Sequence, residues 1–211
     1  MKYVFNINDR AAKAIIKGEK KVEIRANTKG NNYGKYKEND IIEFHSDECG
    51  IFYAMVKVVN HYNTIEDLLT LEGTKYTLSS TNVFNEGVKS INSLSGYEKA
   101  IKESGVYAIH LEYLYSQDNV WEKLYNKARN VAQVSNISNL VSAGSVSAAI
   151  LTKNHHIYTG VCIDTACSLG MCAERNAIST MITNGEKEIS KLVCVGANGN
   201  TILPCGRAEK L

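Results

Sequence analysis

The chain has 211 residues, 44% of them apolar, with 24 Lys and Arg against 22 Asp and Glu and a formal net charge of +2. That length predicts one large or two small domains, and the charge balance gives no overall electrostatic footprint for nucleic acid or membrane. The start, Met1 to Asp9, is broken by polar groups within a few residues. No stretch nears the ~18 consecutive apolar residues of a membrane span, so a cytoplasmic protein with no membrane association is expected.

The first segment reads as mixed α and β. Lys2 to Ile7 suits a strand, and Asn8 or Asp9 can cap a helix running to Lys17, ended by Gly18. Lys21 to Arg25 alternates like a strand, and Asp40 to Phe44 and Ile51 to Val59 supply two more. Thr64 can cap a short helix over Ile65–Leu71, Gly96 to Glu103 predicts another, and Val106 to Tyr115 is a closing strand. Several strands with few long helices point to a small barrel-like sheet. A polar turn at 116–119 opens a second unit. There, Trp121 to Ala132 has helical spacing, Gln133 to Ser147 reads mostly as loop, and strands follow at Ser147–Thr152 and Ile157–Ile163. A helix from about Cys172 to Thr183 stops at Asn184-Gly185, and Lys191 to Ala197 is a further strand. The expected organisation is an α+β barrel over 1–115 and an α/β unit over 116–211.

Five of the six cysteines, at 49, 162, 167, 172, 194 and 205, fall after residue 160. Without an export signal, such a cluster points to metal or catalysis rather than disulfides, with Cys49 and Cys194 equally readable as small buried hydrophobes. Cys172 stands at the expected helix start, where the dipole favours thiolate. Glu174, two residues on, can reach the metal's open position without ligating it. Pro204, the sole proline, precedes Cys205. Soft thiolates suit zinc, and a catalytic zinc site keeps one position for water.

Residues 120 to 207 resemble the cytidine deaminase superfamily, with its H-x-E…P-C-x-x-C signature and three-cysteine variant. The matching residues are Ser147-Ala148-Ala149-Ile150, Ile157-Tyr158-Thr159-Gly160, Leu169 to Ile178 and Pro204-Cys205-Gly206. The resemblance implies zinc held by Cys172 and Cys205, with Glu174 as general acid and base. Arg175 matches an arginine beside the three-cysteine site, where a guanidinium offsets excess thiolate charge; the alternative is an exposed helix residue. The third ligand would fall at 208, which is Ala208, and the sequence stops at Leu211 where the family continues with a helix and further β structure. A shortened deaminase domain with impaired activity is the expectation. Cys167 and Cys162 are substitute ligands to consider, while His155 and His156 read as exposed turn residues. The family's ribose-holding Asn and Glu correspond to Cys162 and Asp164, and its ring-packing aromatic to Gly144. The Val146-Ser147-Ala148-Ala149 neighbourhood is closer to the blasticidin-type branch, so the resemblance implies a nucleoside-like substrate other than cytidine. Members of that branch form tetramers, which implies a homo-oligomer.

Residues 1 to about 115 resemble the ASCH domain, a small PUA-like β-barrel, through Ile15 to Arg25, Tyr36 to Phe44 and Gly105 to Leu111. That resemblance implies a cleft in which Lys20, Glu23 and Arg25 meet RNA, a nucleotide or a modified nucleoside; the alternative is a solvated strand face. One ASCH branch hydrolyses acetylcytidine with a Lys, Thr and Glu set. Lys20 fits that set, but Glu23 stands where its Thr would be. Two function classes follow: a zinc-dependent deaminase, or an RNA- or nucleoside-binding module with a non-catalytic deaminase remnant.

Overall fold

The computed structural model describes residues 2–28 and 30–206. The chain divides into two compact units, Met1–Gln117 and Asp118–Leu211. Among the described residues, no helix is long and apolar enough to cross a membrane.

In the first unit, strands β1 (Lys2–Asn6), β2 (Val22–Ala26), β3 (Ile41–Ser46), β4 (Gly50–Tyr62) and β5 (Val106–Ser116) form one sheet in the order β1-β3-β4-β5-β2. The sheet curls into a half-barrel. Register shifts between Tyr53 and Ala54 and between Val56 and Val58, in the β4–β5 pairing, supply a local cause, because a bulge bends and twists the strand that carries it. Helix α1 (Asp9–Ile16) starts where the Asn8 side chain accepts from the Ala11 N–H at 2.9 Å. Its Ala12 and Ile15 join Phe5, Ile42, Phe44, Phe52 and Ile109 in the core. Thr64 caps α2 (Ile65–Glu72) through the Asp67 N–H at 3.0 Å, as its sequence position predicts. Helix α4 (Tyr97–Ser104) was also legible, but α3 (Phe84–Asn92) was not. That stretch is rich in Ser, Asn and Gly, and Gly87 is buried against Leu78: a Cβ there would lie 2.3 Å from Leu78 Cδ1, so that side chain would have to shift. Helix α3 is fixed by packing rather than by propensity.

In the second unit, β6 (Ser135–Ser138), β7 (Val141–Thr152), β9 (Ile189–Gly196) and β10 (Thr201–Ile202) form the path β10-β9-β7-β6, and β8 (Ile157–Thr165) also pairs with β7. Helix α5 (Val120–Val131) packs on β7 and β9, and α6 (Ala173–Thr183) on β8 and β7. The segment 133–147, expected to be mostly loop, is instead β6 and the first part of β7. Val141 to Ala143 pair with Thr165 to Ile163, and backbone pairing overrides the polar composition. Gly144 sits at φ +85°, at the slip in that pairing, where a Cβ would meet the Gln133 carbonyl oxygen at 1.9 Å. No larger residue fits this backbone.

Two features place the start of α6. Ile163 and Met171 exchange backbone hydrogen bonds of 2.8 and 2.9 Å, fixing the chain just before Cys172. Gly160 lets the helix lie directly on β8, since a Cβ there would be 2.2 Å from the Ala177 backbone nitrogen. The Asn176 side chain then ties the first turn to the Val161 carbonyl at 3.0 Å.

Candidate functional site

Cys172 takes the N-cap position of α6, and Glu174 falls in the first turn, 4% exposed. Cys205 arrives from the coil after β10. Its backbone N–H donates to Glu174 Oε1 at 2.7 Å, and its thiol donates to Cys172 Sγ at 3.4 Å. One ligand atom from each of Cys172, Glu174 and Cys205 lies within 4.8 Å of the other two. The three residues are separated by up to 33 positions in sequence, and the fold gathers them around the N-terminus of one helix.

Burial works against charge on Glu174, yet hydrogen bonds from the backbone N–H groups of Cys205 and Glu174 and from the thiols of Cys172 and Cys194 outweigh it. The carboxyl therefore titrates below the usual range. Burial pushes the Cys172 thiol up, and the neighbouring Cys205 thiol and Glu174 carboxylate push the same way, while the Arg175 backbone N–H pulls it down. Cys194 on β9 is 1% exposed, and burial with the Glu174 carboxylate beside it raises its thiol to about 12. Sequence reasoning left Cys194 as a core residue or a site residue. It is both, packed with Ala148, Ile150 and Ala177 and hydrogen-bonded to Glu174. No spacing rule reveals this, because β9 is brought in by sheet pairing.

Arg175 lies on the exposed side of α6, and its backbone N–H meets the Cys172 sulfur. Cys162 is buried, its sulfur 3.0 Å from Ser145 Oγ and 3.2 Å from the Val146 nitrogen. The exposed Asp164 accepts from Ser145 Oγ at 3.3 Å. These two positions thus meet Ser145 at the β7–β8 pairing and stand outside the sulfur–carboxylate group. Cys167 is exposed, bonded to Thr165 Oγ1 at 3.6 Å, and His156 pairs with Glu186. Among the described residues, neither they nor Cys162 join Cys172 and Cys205 as donors. Ala208, the expected place of a third ligand, lies outside the described residues.

The donor chemistry fits zinc. Two thiolates on one tetrahedral zinc at ~2.3 Å stand about 3.8 Å apart, close to the separation found here, and a carboxylate sits beside them.

The first unit holds a second polar cluster. Lys20 and Glu23 are 6% and 7% exposed, so the alternative of a solvated strand face does not hold for them. Lys20 Nζ donates to the carbonyls of Val22 (2.6 Å) and Thr77 and stands 3.5 Å from Glu23 Oε2. Arg25 grips Glu23 Oε1 through Nε at 3.0 Å and Nη2 at 2.9 Å, donates to the Asn6 carbonyl, and lies over the Phe5 ring. Burial pulls the Lys20 ammonium below its ordinary range. For Arg25, burial works the same way but is more than offset by the Glu23 carboxylate together with the nearby Tyr97 and Tyr33. All three line a cavity of about 200 Å³ with Asn6, Thr77 and Tyr97. Thr77 is fully buried, and its hydroxyl has no hydrogen-bond partner among the described residues. Thr77 meets Lys20 through its backbone carbonyl, and its side chain lines the same cavity.

The chain matches no family model. Its likeness to solved structures is partial. The hypothetical protein PH0355 is 29% identical, covering 54% of this chain and 99% of its own, with a TM-score of 0.47. An E47D mutant cytidine deaminase from Mycobacterium tuberculosis is 26% identical over 43% of this chain and 71% of its own, with a TM-score of 0.38. The cytidine deaminase from Mycobacterium leprae is 28% identical over 43% and 76%, with a TM-score of 0.37.

Proposed function

We propose that the second unit is a zinc-dependent hydrolytic deaminase site for a cytosine-type nucleoside or a related compound. The observation that carries this reading is the convergence of Cys172, Cys205 and the buried Glu174 carboxylate within 4.8 Å at the start of α6. Cys172 and Cys205 would hold the metal. When bound, zinc supplies the Lewis acidity that makes water a nucleophile at neutral pH. Glu174 moves the protons: it accepts one as water attacks the ring carbon bearing the amine and passes it to the ring nitrogen, then takes the second from the newly attached hydroxyl and gives it to the amine, which departs as ammonia while the carbonyl forms. The Cys205 N–H fixes the orientation of the carboxylate for both transfers. Two sulfur donors fill half of a tetrahedral shell, so the reading includes weak zinc binding and slow turnover. Ala208→Cys would complete the Pro-Cys-x-x-Cys spacing from Pro204 onward. A chelator competition titration should show tighter zinc binding in that variant; equal affinity means that another residue fills the third position or that the pair does not bind zinc.

The cavity of the first unit supports a complementary reading as a binding site for a nucleotide or RNA, with Arg25 toward phosphate. Its specific support is the orphaned Thr77 hydroxyl, a polar group that a bound ligand would satisfy. Charge reversal at Arg25 and added salt should both weaken such binding, measured by fluorescence anisotropy with a labelled oligonucleotide. Binding that ignores both places the contact elsewhere.

A further inference from the structure

Cys172 and Cys205 meet as a pair of half-buried thiols, 3.4 Å apart between sulfurs. Bond formation at ~2.05 Å requires the sulfurs to close by a little over 1 Å. Cys205 lies in coil between β10 and the end of the described chain, tethered through its N–H to Glu174, so the movement breaks no strand or helix hydrogen bond. Cys172 is the N-cap of α6, its carbonyl accepting from the Asn176 N–H at 3.2 Å, so its side chain can turn toward Cys205 without opening that bond. Position 208 offers no sulfur to compete.

We propose that Cys172 and Cys205 form a reversible disulfide whenever the pair carries no metal, which makes the site a redox-closed switch. The inference rests on the zinc reading only for the metal's effect, since the disulfide itself needs the two thiols alone. The oxidant is a small disulfide of the oxidised glutathione class. One protein thiolate attacks the reagent's S–S bond and releases one small thiol, leaving a mixed disulfide. The second protein thiolate attacks the protein-side sulfur, forms the Cys172–Cys205 bond and releases the second small thiol. Two electrons pass from the protein pair to the reagent, and the two protein thiol protons end on the two released thiols. In the closed state both sulfur donors are lost to metal at once.

The test uses the full chain, stripped of metal with a chelator and treated with oxidised glutathione. Peptide mass spectrometry should show the Cys172 and Cys205 peptides joined, two hydrogens lighter than their sum and separable by reductant. Cys172→Ser and Cys205→Ser should each abolish the link, while Cys167→Ser, at the exposed thiol five residues before Cys172, should leave it intact. Mixed disulfides without the 172–205 link, or Cys167 as the partner of either residue, would overturn the proposal. Preloading with zinc chloride should slow closure by about tenfold or more, because metal-bound thiolates are withdrawn from exchange. A link that forms equally fast with zinc supports the disulfide and sinks the zinc reading, so the two fail separately. Circular dichroism of the serine variants checks that a lost link is not a lost fold.

Discussion

Lys20, Glu23 and Arg25 in the first unit and Cys172, Glu174 and Cys205 in the second are both groups of ionisable side chains with a carboxylate in the middle. They are held in opposite ways. Glu23 is bracketed by two cations, and Lys20 spends its remaining donors on two backbone carbonyls. Its charges are paired within the cluster, with Glu23 and Arg25 on strand β2 and Lys20 just before it, and Arg25 also lines the cavity. Glu174 is held by the Cys205 N–H, by its own backbone N–H and by thiols, with no cation among these partners, and the Cys172 and Cys205 sulfurs face each other. Such a group has donor capacity left for a metal or for bond formation. A satisfied buried cluster stabilises a fold as a unit and fails as a unit, whereas the second arrangement leaves its atoms available for chemistry.

The sharpest way to break this contrast is Glu174→Gln. Turnover of a cytosine nucleoside should fall by about 10²–10⁴-fold, since an amide cannot shuttle protons. Zinc content measured by atomic absorption should be unchanged. Retained turnover removes Glu174 from the mechanism. Next in size is Glu23→Ala, which leaves the buried Lys20 and Arg25 without their shared counter-charge and should lower stability by about 3–5 kcal/mol in urea unfolding. Cys205→Ser in metal-free protein should cost less than about 1 kcal/mol in the same measurement. If the cysteine variant proves the costlier, the second cluster is the structural one and the comparison is reversed.

Gly160→Ala probes how the second site is positioned. The added methyl would press on the backbone of α6 at Ala177, so a loss of about 1–3 kcal/mol is expected, together with weaker zinc binding as the helix start is pushed from β8. A neutral result would mean that the close approach does not set the site. The smallest effect is expected for Thr77→Val. Removing an unpartnered buried hydroxyl while keeping its shape should leave stability unchanged or raise it by up to about 1 kcal/mol. A clear loss of stability would show that the hydroxyl is already satisfied in solution.

The sequence by itself determined most elements and the identity of the sulfur–carboxylate group. The Asn8 and Thr64 caps, the alternation of β2 and the Cys172-Ala173-Glu174 start of α6 are local signals, written in residues two or three apart. Tertiary structure alone decided the rest. Helix α3 gives no clear local signal and the first part of β7 has a composition that reads as loop; they are held by packing on α2 and α4 and by pairing with β8. The meeting of Cys194 with Glu174 and the arrival of Thr77 beside Lys20 and Glu23 depend on contacts between segments distant in sequence. Periodicity and capping report what a segment does with its own neighbours. Which buried group ends up against which is set by sheet register and by close approaches such as that at Gly160, and those follow from the packing of the whole unit.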